Sequence, residues 1–103
     1  MNKYHNIKTH GYDSKKEYRH SQDLALMKRA GEIKSWKEQV RYDLFGKNGA
    51  KVCYMRVDFE VINKEGKKEI HEVKSQATKT AVWRLKYKLW KDNYGGIKYI
   101  VIE

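Results

Sequence analysis

The spacing of apolar positions changes period repeatedly along this chain, and each change predicts an element. Asp13-Ser14-Lys15-Lys16-Glu17 contains the Ser-x-x-Glu capping box that opens a helix, and Gly31 supplies the C′ glycine that ends one. Tyr18, Leu24, Ala25 and Met27 give this predicted helix an apolar side. From Trp36 to Phe45 the period becomes two. Trp36, Val40, Tyr42 and Leu44 fall on one face, and Lys37, Gln39, Arg41 and Asp43 on the other. Gly46-Lys47-Asn48-Gly49 is a turn, and Val52 to Ile62 is a second strand rich in β-branched and aromatic residues. Lys68 to Ser75 is the third strand. Thr78 or Thr80 caps a second helix that runs to about Asn93, with Val82, Trp83, Leu85, Leu89 and Trp90 as its apolar face. Gly95-Gly96 ends it, and Lys98-Tyr99-Ile100-Val101-Ile102 is a short apolar strand that reads as buried. The predicted order is helix, three strands, helix, strand, an α/β layer with a mixed sheet whose last strand is reached by a crossover.

The turn between the second and third strands carries more information. Asn63-Lys64-Glu65-Gly66 has Asn at position i and Gly at i+3 of a type I turn. A three-residue hairpin loop of this kind ends in a left-handed glycine that forms a bulge. Asn63 then pairs with Lys67, and the same register sets Asp58 opposite Glu72 and Arg56 opposite Lys74. Facing side chains on antiparallel strands have Cβ atoms ~4.5–5.5 Å apart, where like charges destabilise. At ~5 Å two unit charges repel by roughly 3 kcal/mol at an effective dielectric of 20. A divalent cation between the two carboxylates removes that conflict. Mg²⁺ is commonly held by one or two carboxylates, the other positions being filled by water and phosphate oxygens. Lys74 lies two residues past Glu72 on the same face, ~7 Å along the strand, where its ammonium can reach a metal-bound water or a phosphate. His71 points the other way and reads as a packing or surface histidine.

Charge changes the picture next. In 103 residues, 23 Lys and Arg stand against 13 Asp and Glu, a formal net charge of +10. Such an excess suits a polyanion, because each cation placed on a phosphate releases condensed counterions. The length fits one domain, residues 1–103, with residues 1–12 as an N-terminal arm. The lone Cys53 has no disulfide partner and reads as a small, half-buried residue. No apolar run approaches the ~18 residues of a membrane span, and the first residues lack the apolar stretch of a signal peptide. The expected setting is cytoplasmic, with no membrane partner.

Val57-Asp58 followed by Glu72-Val73-Lys74, set within this element order, resembles the PD-(D/E)XK nuclease superfamily, with Val57 where the motif's name has Pro. The chain also looks like a family of small phage proteins catalogued as having unknown function. That resemblance rests on Asp13 to Glu17, Gly31-Glu32-Ile33, Leu44-Phe45, Asp58-Phe59, Glu72-Val73-Lys74 and the lysine-rich second helix, and it spans about residues 10 to 103. It implies a restriction-endonuclease-like αβββαβ core, a mixed sheet flanked by helices. It also implies metal-dependent phosphodiester hydrolysis. Asp58 and Glu72 would hold Mg²⁺, or Mn²⁺, with Glu17 completing the metal shell from the first helix, and Lys74 would position the attacking water. Glu17 also has a purely structural role open to it, as the Glu of the capping box. Lys15, Lys16, Gln39, Lys79, Arg84, Lys86 and Lys88 would contact nucleic acid, Gln39 from the first strand and the later cations through the DNA backbone, without reading sequence.

The resemblance to phage endonuclease I and other Holliday-junction resolvases implies a homodimer that cuts branched or duplex DNA, in the host cytoplasm if the chain is phage-encoded. Two alternatives stay open. One is a non-catalytic nucleic-acid-binding module on a nuclease fold, and the other is a protein-binding role through Trp83 and Trp90, whose helical spacing equally suits a core.

Overall fold

The computed structural model describes residues 14–75 and 78–103, so the expected arm at residues 1–12 lies outside the described residues. The order is α1 (Lys15–Arg29), β1 (Ile33–Phe45), β2 (Lys51–Asn63), β3 (Lys68–Val73), α2 (Ala81–Tyr94) and β4 (Lys98–Ile102). The strands form one sheet in the order β1-β2-β3-β4, antiparallel except for the parallel β3–β4 pair. This is an α/β fold with an αβββαβ core and a mixed sheet. β4 lies at an edge of the sheet and is half-buried, where its apolar run suggested a buried strand. The run is apolar because one face packs under α2; the edge leaves the rest open.

Both helices begin where their caps predict. Ser14 Oγ accepts from the Glu17 amide at 3.1 Å, and Thr80 Oγ1 accepts from the Trp83 amide at 3.1 Å. The helices then differ in what they bury. On α2 the stripe Trp83, Tyr87, Trp90, Tyr94, spaced four, three and four, packs with Tyr42, Leu44, Met55, Val57 and Ile70. Val82 and Leu85, expected on the apolar face, fall on the shoulders of this stripe and are 62% and 67% exposed. On α1 the buried stripe is Glu17, Ser21 and Leu24, with Met27 partly buried against the cluster of Leu24, Ile33, Phe59 and Val61. Ala25, expected there, is exposed. A helix burying a carboxylate and a serine in its first two turns is built around something other than apolar packing.

The hairpin register is the one that the turn dictates. Gly66 has φ +85° and its amide donates to the Asn63 carbonyl at 2.9 Å, while the Asn63 amide donates to Lys67 at 2.8 Å. The Asn63 side chain caps the loop, accepting from the amides of Glu65 and Lys67. Phe59 faces His71 and Ile62 faces Lys68, in step with the predicted pairing. Beyond Phe59, however, β2 and β3 part. Arg56 therefore faces Arg41 of β1 and not Lys74, whose amide donates instead to Ile102 of β4 at 2.9 Å. The stretch from Lys51 to Val57 pairs with β1 alone, so the β1–β2 ribbon runs on past the sheet with one edge of β2 unpaired by any described strand.

One further irregularity lies in that ribbon. Trp36 packs with the cluster under α1, whereas Val40, Tyr42 and Leu44 pack with the cluster under α2. Across the ribbon Phe59 and Val61 divide from Met55 and Val57 in the same way. Positions of one parity thus change faces midway, and the expected single face from Trp36 to Leu44 is split. The change falls at Gln39, the one non-glycine residue with positive φ (+54°) among the described residues. A left-handed residue inside a strand reverses the side-chain alternation, at a steric cost that a side chain bearing Cβ does not avoid. Gln39 lies beside Asp58, between the pairs Glu38–Phe59 and Val40–Val57.

Gly66→Ala is expected to destabilise the fold by ~1 kcal/mol or more, because an L residue is strained at this φ. Urea unfolding should show a lower midpoint at unchanged slope.

Candidate active site

The parting of β2 and β3 opens a cleft of about 380 Å³ at the end of the sheet, lined by Ser14, Lys16, Glu17, Asp58, Val73, Lys74, Ser75 and Thr78. Three elements supply its polar groups. The first turn of α1 brings Lys16 and Glu17, β2 brings Asp58, and the segment after β3 brings Lys74. The Ser75 amide donates to Thr78 Oγ1 at 2.8 Å, which shapes the wall before α2.

Asp58 is anchored from two strands. Its Oδ2 accepts from the Val73 amide of β3 at 2.8 Å, standing in for the carbonyl that a continuing ladder would offer. Its Oδ1 accepts a long contact from Gln39 Nε2 of β1 at 3.4 Å. Glu72 lies behind Asp58, only 2% exposed, and its carboxyl hydrogen-bonds with that of Asp58. The Tyr99 hydroxyl of β4 donates to Glu72 Oε1 at 2.8 Å. Burial, and then the charge of Asp58, push the Glu72 carboxyl up to about 8. Burial and then Glu72 also push the Tyr99 hydroxyl above its ordinary value. Burial and the neighbouring Asp58 thus favour the neutral, protonated form of the Glu72 carboxyl.

Lys74 sets its ammonium 5.6 Å from the centre of the Trp83 ring, a cation–π contact that holds the side chain near the head of α2. Behind the cleft, His20 of α1 meets His71 of β3 at 2.8 Å and packs edge-on against Phe59, and His71 reaches Glu69 at 3.2 Å. Burial, and then His71, hold His20 below its usual range. His71 is thus a packing histidine that ties α1 to the sheet, and this contact helps fix where Glu17 enters.

The sequence candidates therefore divide into groups. Glu17, Asp58, Lys74 and Lys16 share the cleft, Glu72 lies directly behind it, and Gln39 touches it through Asp58. Lys15 is exposed beside it on α1. Lys79 precedes α2 instead of lying on it and pairs with Glu103 at 2.6 Å. Arg84 turns its Nε to the Lys79 carbonyl at 3.1 Å, Lys86 reaches Tyr54, and Lys88 is exposed. Tyr99 and Trp83 are neighbours of the site that sequence reasoning left in the core. Only the parallel β3–β4 register brings Tyr99 to Glu72, and no local pattern announces it.

Among the described residues no group of three or more His, Cys, Asp and Glu side chains is gathered as a metal cage. The donor set is instead two adjoining carboxyls, with open cleft on the Asp58 side. This suits a hydrated cation such as Mg²⁺, which takes few protein ligands and keeps much of its water.

An α/β domain with an αβββαβ core and a carboxylate–lysine cleft at the divergence of two strands is the class that this geometry defines. The family model described as "Protein of unknown function (DUF1064)" matches residues 1–103, and the chain belongs to that family. No curated protein and no solved structure matches it.

Glu72 gives a pH signature. Its proton is held more tightly in the folded chain than in the unfolded one, where the ordinary value is 4.5. The associated stability is complete below that value and is lost as pH rises through about 8. Thermal unfolding followed from pH 5 to 9 should show the midpoint falling by several degrees more in the wild type than in Glu72→Gln, which carries no titrating proton. His20 titrates in both proteins, so the difference between the two curves isolates Glu72.

Proposed function

We propose that this chain is a metal-dependent endodeoxyribonuclease of the PD-(D/E)XK type, selective for DNA structure, with branched DNA such as a Holliday junction as its substrate and a homodimer as its working form. One observation carries the reading. The parting of β2 and β3 leaves Asp58 and Glu72 as adjoining carboxyls at a cleft that Lys74 and Glu17 also flank. The αβββαβ order and the mixed sheet are those of a restriction-endonuclease-like core and support the same reading.

A cation bound here would be held by Asp58 and Glu72, with Glu17 lining the same cleft. When bound, Mg²⁺ neutralises phosphate charge and lowers the pKa of a coordinated water. Tyr99 donates its hydroxyl to Glu72 and keeps that carboxyl oriented. The Val73 amide and Gln39 fix the Asp58 carboxylate, so its lone pairs point to one place. Lys74 orients the attacking water and stabilises charge on the phosphate as it develops. Lys15 and Lys16, at the rim, hold the DNA backbone. Cutting both strands of a junction takes two such sites, which is why the proposal includes a dimer.

A second reading is a non-catalytic nucleic-acid-binding module on the same fold. It is favoured by the deep burial of Glu72, which leaves one carboxylate of the pair facing the cleft.

Incubation with a labelled four-way DNA junction separates the two. With Mg²⁺ the wild type should nick the junction, and with EDTA it should only shift it. Asp58→Asn, Glu72→Gln and Lys74→Ala should each lower cleavage at least ~100-fold while keeping junction binding. Binding without cutting in every divalent metal would favour the second reading. Mg²⁺ should also raise the thermal midpoint of the wild type and leave that of Asp58→Asn unchanged.

A further inference from the structure

The β1–β2 ribbon carries a charge conflict of its own. Arg41 and Arg56 face each other directly across the two strands, and both are exposed. Facing like charges destabilise an antiparallel pair. Around them stand more cations. Lys86 of α2 lies 5.4 Å from the centre of the Tyr54 ring, and Arg41 lies 4.1 Å from it. Lys51 shares Asp43 with Arg41, at 3.4 and 3.1 Å. One carboxylate thus serves two cations, and Arg56 has no carboxylate partner among the described residues. Tyr54 is 41% exposed and holds the guanidinium of Arg41 against its ring, which fixes the orientation of a side chain that would otherwise sample many rotamers.

We propose that Arg41 and Arg56, with Tyr54 and Lys86 supporting them, form a clamp for a DNA backbone phosphate. The proposal rests on the nuclease reading for its ligand, and it names a contact outside the cleft. Three features point to a phosphate. An anion between two facing guanidinium groups turns their repulsion into shared attraction, and guanidinium forks match phosphate oxygens in a bidentate way. The pair also lies two residues along each strand from Gln39 and Asp58, in unbroken register. That distance is ~7 Å along the strands. The clamp would therefore hold the strand a short step from the phosphate in the cleft. The contact is to backbone and reads no bases.

The test measures binding of a fluorescein-labelled DNA duplex by anisotropy, in EDTA so that nothing is cut, across a range of salt concentrations. Arg41→Gln and Arg56→Gln should each reduce the slope of log affinity against log salt, and the double variant should reduce it by about 1, the one phosphate that the two arginines share. Arg29→Gln, at the far end of α1, should keep the wild-type slope. Without DNA, Arg56→Gln should unfold no earlier than the wild type, since it removes a repulsion. An unchanged slope in the double variant would overturn the clamp, and so would an equal loss in Arg29→Gln. Should the double variant fail to fold, Arg56→Gln alone decides the matter, because it breaks no ion pair. The assay needs no cleavage. A protein that never cuts but shows the slope change keeps the clamp, and one that cuts with an unchanged slope loses the clamp alone.

Discussion

The hydrogen bond from the Val73 amide to the carboxylate of Asp58 is the constraint on which the rest of the cleft depends. An antiparallel ladder normally meets each amide with a carbonyl, and an unpaired buried amide is costly. Here a side chain meets it, which lets β2 and β3 separate while leaving that amide satisfied. The separation makes the space, and the same bond fixes the carboxylate that faces it. This one exchange of acceptor ends the β2–β3 pairing and orients a charged group, while the next amide, that of Lys74, points away from β2 and donates to β4. Gln39 contributes from the far side, where its left-handed backbone turns the ribbon's faces over beside Asp58.

The two helices hold this arrangement by different means. α2 lays an aromatic stripe on the sheet, with Trp90 fully buried against Tyr42, Tyr94 and Tyr99, so its position is set by contact area and ring geometry. α1 packs Leu24 and Met27 with Ile33, Phe59 and Val61 and adds a polar tie to the sheet, His20 to His71. Tyr99 joins the aromatic cluster to the site, since its ring packs on Trp90 and its hydroxyl holds Glu72.

Much of this was legible in the sequence. Caps and periodicity marked the elements, and Asn63 with Gly66 determined the β2–β3 register from local rules alone. The proximity of Asp58 and Glu72 followed from that register. What did not follow was where the ladder stops. A turn fixes pairing near itself, but a side chain that displaces a carbonyl lies beyond its reach, so Arg56 was set opposite Lys74 and met Arg41 instead. The split face of β1 was equally hidden, because strict alternation was assumed through Gln39 and a polar residue gives no warning of positive φ. Val82 and Leu85 show the limit of composition on a helix. Five apolar residues outnumber what one stripe can bury, and aromatic volume decided which were covered. Tyr99 belongs to a pairing between distant segments, which no local pattern encodes.

The unpaired edge of β2 between Lys51 and Val57 has one more consequence. Exposed edges invite edge-to-edge pairing with other chains, and proteins commonly guard them with charge. Lys51 and Arg56 do that here: a second copy docking strand to strand along this edge would bring like charges together before any backbone bond formed. The guard is conditional, since a polyanion lying along the ribbon would cancel it. Lys51 and Arg56 thus tie the protection of this edge to whether an anion lies against them.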